Sequence, residues 1–128
     1  MRNIPRRVHD SFRFAFHGIK DVFNMSLNFR LGLVIAILVI AAGAVLKLGF
    51  LSWVVVIFTT TLILAAETIN TAAEKMLDFF HPEKHPEIGH VKDIMAAAVV
   101  ICVIGAFLVG VIVFGNAILS LCHIKLSW

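Results

Sequence analysis

Three long uncharged tracts, residues 31–46, 48–66 and 94–124, limit what this chain can fold into. A helix needs about 20 mostly apolar residues to cross a bilayer. The first tract is a little short, and the uncharged residues beyond Lys47 extend it. Across the 128 residues, 60% are hydrophobic, which is too apolar for a soluble domain of one-domain length. The mean hydropathy of +0.97 agrees. The expectation is an all-α membrane protein with three transmembrane helices. The first 30 residues are charged and lack a continuous apolar core, so no cleavable signal is expected.

Charge placement says more than the net charge of +3. Arg2, Arg6, Arg7, Arg13, Lys20 and Arg30 precede the first span, and Lys75, Lys84 and Lys92 flank the connection between spans two and three. Lys47 and Lys125 fall on the other side. The positive-inside rule then places the N-terminus and the 79–92 loop in the cytoplasm. The basic excess reads as membrane orientation, and no nucleic-acid module is visible.

Residues 1–7 read as a basic tail interrupted by Pro5, and residues 8–27 as an amphipathic helix. Val8, Phe12, Phe16, Ile19 and Phe23 form an apolar stripe opposite Asp10, Arg13, His17, Lys20, Asp21 and Asn24. That pattern suits a helix lying in the membrane interface. Phe14 projects from the polar face, where it can stack on a ligand base or touch a neighbouring subunit. Span one is expected over about 30–46. Lys47-Leu48-Gly49 leaves room for a tight hairpin, and span two returns to the inner surface near Asp78. Pro82, Pro86 and Gly89 argue against a regular helix through 81–90, so span three is expected to start at about Val91. Met95-Ala96-Ala97-Ala98, and more weakly Gly105 and Gly110, give that span a small-residue face for close helix packing. Cys102 and Cys122 lie about 30 Å apart along one helix and cannot bridge within a chain, so both read as small buried apolar residues.

Chemistry concentrates in the run Glu67-Thr-Ile-Asn70-Thr71-Ala-Ala-Glu74-Lys-Met-Leu-Asp78. Positions 67, 70, 71, 74 and 78 share one helix face. Carboxylates at membrane depth are costly and normally face a protein interior. Glu67 lies about 10 Å deeper than Glu74, so the two suit different roles. A surface carboxylate suits a divalent metal whose other ligands are phosphate oxygens. A deeper one suits a base acting on the hydroxyl of a membrane-resident substrate. Asn70 can orient either group. Lys92 can neutralise a phosphate, and Asp93 can accept hydrogen bonds.

Plainer readings stand beside these. Glu67, Asn70 and Glu74 can act as interhelical hydrogen-bonding glue. Lys92 can snorkel, and Asp93 can be an acid near a helix N-terminus. The loop 81–90, with two His-Pro-Glu runs, fits nucleotide contact or plain solvation. It fits zinc poorly, since the spacing is wrong and no Cys is near. No P-loop or kinase Gly-rich loop is present. A transporter or channel would need charges deeper than Glu67.

The pattern Glu67-xx-Asn70-Thr71-Ala72-x-Glu74-xxx-Asp78, then His85, then Lys92-Asp93-xxx-Ala97-Ala98-Val99 resembles the bacterial integral-membrane diacylglycerol kinase family, including its undecaprenol kinase branch. Gly18 and Asn28-Phe29-Arg30 match more weakly. The resemblance covers nearly the whole chain. It implies a homotrimer in the bacterial plasma membrane, with one surface helix and three spans per subunit, that transfers the γ-phosphoryl of MgATP to a lipid hydroxyl. By that resemblance Glu67 is the general base at the lipid hydroxyl, and Asn70 is a polar active-site residue. Glu74 is the Mg²⁺ ligand beside the nucleotide. Arg7, Phe14, Glu83, His85, Lys92 and Asp93 fall at nucleotide-contacting positions, and Phe29 and Arg30 where the lipid approaches. The details resemble the undecaprenol branch more, with diacylglycerol as the other substrate.

One position departs from the family pattern. Ser26 stands where relatives carry a second metal-binding Glu. Three consequences are open: Glu74 with ATP and water suffices, an acid from a neighbouring subunit substitutes, or the chain is a silent scaffold.

Overall fold

The computed structural model describes residues 4–83 and 85–122, with side chains from Arg7 onward. Arg2, Arg6, Lys84 and Lys125 of the charge argument therefore lie outside the described side chains. Four helices follow in order: α1 Ile4–Met25, α2 Leu27–Val45, α3 Phe50–Phe80 and α4 Pro86–Leu121. The last three are long and apolar enough to cross a membrane.

Helix α1 starts earlier than the basic tail suggested. Pro5 falls in its first turn, where a missing N–H breaks no helical bond. Ser26 separates α1 from α2. Its backbone is extended, and its Oγ accepts from the Phe29 N–H at 3.1 Å. This N-cap satisfies one of the orphan donors of the first turn and starts α2 at Leu27 rather than Arg30. Val22 and Phe29, on either side of the cap, are both buried.

The hairpin between α2 and α3 is as tight as expected. Lys47 takes a left-handed backbone, with φ 54°, and Gly49 caps α3. Gly43 lets the two helices close: a Cβ there would sit 3.0 Å from Leu48 Cδ1 and 3.1 Å from Trp53 Cη2.

Helix α3 runs unbroken for 31 residues, or about 46 Å. A bilayer core is about 30 Å thick, so α3 exceeds it by roughly three turns. Helix α4 starts at Pro86 and not at Val91. Pro86 occupies the first turn, where no N–H is required, and His85 caps it by accepting from the Glu87 N–H at 3.3 Å. A proline that seemed to exclude a helix instead begins one. Gly89 then sits inside a helical turn in open space.

Among the described residues, nothing packs closely on the small-residue face of α4. Ala96, Ala97 and Ala98 are exposed, and a Cβ added at Gly105 or Gly110 would meet nothing within 4 Å. The close approaches are made by Gly43 and by Gly32, where a Cβ would lie 3.4 Å from Leu64 Cδ2. The cysteines are free. Cys102 is half-buried and Cys122 exposed, so neither is the buried filler expected.

Polarity is arranged inside out. Ile37, Leu38, Phe58, Phe107 and Ile112 point outward, whereas Glu67, Asn70 and Thr71 are buried. Water would penalise the first set and an apolar solvent would not. Lipid would penalise the second set unless protein covered it. The sequence of α3 meets both demands by placing its polar residues at helical spacing.

Candidate active site

The site is built on one face of α3. Glu67 and Asn70 are 7% and 8% exposed, Thr71 is buried beside them, and Glu74 is half-buried. Burial therefore falls along the face toward Asp78, which is exposed. Thr71 Oγ1 donates to the Glu67 carbonyl at 2.8 Å, which satisfies the hydroxyl locally. Asn70 Nδ2 donates to Glu74 Oε1 at 2.9 Å. That bond spans one helical turn and fixes one carboxylate oxygen while leaving the other to an incoming ligand. Asn70 Oδ1 is buried and has no partner. Buried acceptors are nearly always satisfied, so an orphan points to a missing donor.

Lys92 reaches across from α4 and donates to Asp78 Oδ1. The pairing places a cation at the end of the carboxylate face. Asp93, next in sequence, is exposed. Among the described residues no hydrogen bond or ion pair joins Arg7, Phe14, Glu83, His85 or Asp93 to the α3 carboxylates. Phe14 is 65% exposed, yet Phe12 and Phe16 are 63% and 69% exposed, so exposure does not single it out. Arg13 lies 5.3 Å from the Phe14 ring centre. Phe29, just past the α1–α2 junction, is buried, and Arg30 is exposed.

A groove of about 660 Å³ runs between α2, α3 and α4. Its walls are mostly apolar, with Thr59 and Thr60 among them, and Glu67 and Asn28 both line it. Asn28 was legible only as part of a short motif, and its place in the groove had no sequence signal. The Asp78–Lys92 pair had a partial one: Asp78 shares the face of Glu74, and Lys92 flanks the same loop.

Mg²⁺ characteristically takes one or two carboxylates, with substrate phosphates and waters filling the remaining positions. The donor set here fits that habit, since Glu74 offers one half-buried carboxylate on the Asp78 side of Glu67. Ser26 Oγ is engaged as a helix cap. Among the described residues no group of three or more metal-ligating side chains gathers.

Comparison with known proteins adds a separate line. The family model for prokaryotic diacylglycerol kinase matches residues 13–114. The chain belongs to that family. The matched segment runs from α1 well into α4, and it contains every site residue above except Arg7. A diacylglycerol kinase of Synechocystis sp. is 33% identical over 101 residues, or 78% of this chain. The chain spans 58% of that relative's length. An undecaprenol kinase of Bacillus subtilis is 26% identical over 113 residues, covering 88% of this chain and 92% of the relative. A diacylglycerol kinase of Haemophilus influenzae is 27% identical over 107 residues, covering 82% and 91%. Relatives named for different lipid substrates thus match at similar identity.

Proposed function

We propose that this chain is a MgATP-dependent lipid kinase that phosphorylates a membrane-resident alcohol, with undecaprenol preferred over diacylglycerol. One observation carries the reading: a buried Glu67 lines an apolar groove, two turns from a half-buried Glu74 that a buried Asn70 holds. A hydrocarbon tail suits such a groove, and its hydroxyl would then meet a carboxylate at the polar end.

The reaction is an in-line phosphoryl transfer. Glu67 takes the proton as the lipid oxygen forms its bond to the γ-phosphorus. The bond from that phosphorus to the β–γ bridging oxygen breaks, and ADP leaves with its electron pair. Asn70 holds Glu74 through Nδ2, and its unpartnered Oδ1 is placed to accept a hydrogen bond from substrate. Lys92 faces the phosphates, where a fixed positive charge stabilises the developing negative charge. Bound Mg²⁺ would supply further charge neutralisation at the phosphates, held by Glu74. Arg7, Phe14, Glu83, His85 and Asp93 would close around the nucleotide, and Phe29 and Arg30 would border the lipid.

The same reading takes α1 as an amphipathic helix on the cytoplasmic membrane surface, with Val8, Phe12, Phe16, Ile19 and Phe23 toward lipid. It puts the projecting end of α3 and the 81–85 connection in the cytoplasm, and it takes the working unit as a homotrimer. The engagement of Ser26 as a cap favours one other reading, a silent scaffold of the same family.

Transfer of labelled γ-phosphate from ATP decides between them. The purified chain in detergent is offered undecaprenol or diacylglycerol, with and without Mg²⁺. Metal-dependent labelling, stronger for undecaprenol, is expected. A folded protein that labels neither lipid would reverse the conclusion in favour of the scaffold.

A further inference from the structure

Among the described residues, a single side-chain pair links two helices through charge: Lys92 Nζ on α4 donates to Asp78 Oδ1 on α3. Every other side-chain hydrogen bond or ion pair there joins residues no more than four apart. The tie is not needed to bring the helices together, because α3 and α4 already pack against each other and are joined by a short connection. Both side chains remain partly exposed, and an ion pair in that setting adds little to stability. Its location suggests another use.

Asp78 continues the face of Glu67, Asn70 and Glu74, and it stands about 6 Å beyond Glu74 along the axis. Lys92 is therefore drawn onto the line of groups that the proposed reaction employs. A lysine ammonium has three donors. Asp78 engages one, and two remain for phosphate oxygens. A free lysine would lose rotamer entropy on meeting a ligand, and a held one loses less.

We propose, resting on the kinase reading above, that Asp78 is a positioning residue for the nucleotide. It holds the Lys92 ammonium one turn beyond Glu74, where the polyphosphate of a nucleoside triphosphate lies when Glu74 carries its cation. The carboxylate also keeps the pair neutral while the site is open, so Lys92 is not recruited by other anions at the membrane surface.

The test uses the full chain in detergent, as wild type, Asp78→Ala, Asp78→Glu and the reversed pair Asp78→Lys with Lys92→Asp. Three quantities are read: KM for MgATP and for lipid, the Kd of a non-hydrolysable MgATP analogue, and the thermal midpoint. Asp78→Ala is expected to raise the MgATP KM and the analogue Kd together by about ten- to a hundredfold, with the lipid KM and the midpoint near wild type. Asp78→Glu should recover most of that loss. The reversed pair restores attraction between the helices and should leave nucleotide affinity lost. An Asp78→Ala protein with wild-type KM and Kd would overturn the inference while leaving the kinase reading intact. Recovery of nucleotide affinity by the reversed pair would also overturn it, because a structural tie alone would then suffice. A wild-type chain that neither transfers phosphate nor binds the analogue removes the kinase reading, and this inference with it.

Discussion

Asn70 uses only part of its hydrogen-bonding capacity. Its amide donates to Glu74, and its carbonyl oxygen is buried without a partner. Such an acceptor costs about 1–3 kcal/mol when left unmade, so the site is better satisfied with a donor present. Truncating the side chain should release Glu74 more than it disturbs α3. Asn70→Ala is therefore expected to raise the Mg²⁺ concentration for half-maximal transfer severalfold or more, with helix content by circular dichroism unchanged. A loss of helix content in parallel would assign Asn70 to folding instead. Glu67 tests the chemical step. Gln keeps the size and polarity of Glu and cannot take a proton. Positioned acid–base groups contribute about 10²–10⁴-fold, and Glu67→Gln should lower kcat by that order while the nucleotide analogue still binds. Normal turnover in that variant would remove Glu67 from the base role. The shared polar face of Glu67, Asn70 and Glu74 was legible because carboxylates stand out in an apolar tract at helical spacing. The unpartnered Oδ1 was not legible, since spacing says nothing of which lone pair finds a donor.

Helix boundaries are less legible in this sequence than helix existence, and the reasons are local. Pro86 looks like a breaker, and it opens α4 because His85 precedes it as a cap. Pro5 likewise sits in the first turn of α1. In both places the proline's missing N–H falls where a helix needs none. Ser26 stands out in the sequence as a poor metal ligand, and in the fold it is the residue that ends α1 and begins α2. The two roles can be separated. Removal of a Ser N-cap costs about 0.5–2 kcal/mol, so Ser26→Ala should lower the thermal midpoint with little change in Mg²⁺ dependence. Ser26→Glu also loses the preferred cap, and it places a second carboxylate at the α1–α2 junction. If that junction faces Glu74 in the working assembly, the Mg²⁺ requirement should fall even as stability drops. A Mg²⁺ titration superimposable on wild type would mean that another group already serves there.

For the molecule as a whole, the inverted polarity fits a chain solvated by lipid, and it leaves the outer faces of the helices unequal. One face of α4 presents large side chains such as Val100, Phe107 and Val111. Ala98 and Gly105, seven residues apart and so on one face, present almost nothing, and among the described residues no side chain fills the space beside Gly105. In lipid, close helix approach depends on small residues, because apolar burial gives no drive between helices that are already in an apolar solvent. The sequence made the small face visible. It could not say whether the partner is within the chain, because spacing along one helix carries no information about its neighbour. With α3 packing elsewhere, the face is available to a second copy, as the proposed trimer requires. Gly105→Leu fills that space without disturbing any contact inside the subunit. The mass in mild detergent, measured by light scattering, should fall from trimer toward monomer while helix content and the thermal behaviour of the single subunit persist. Gly43→Leu is the contrasting case, since its Cβ meets Leu48 and Trp53 within the subunit, and it should lower stability with no selective effect on mass. A trimeric mass retained by Gly105→Leu would place the small face of α4 toward lipid and move the subunit contact to another helix.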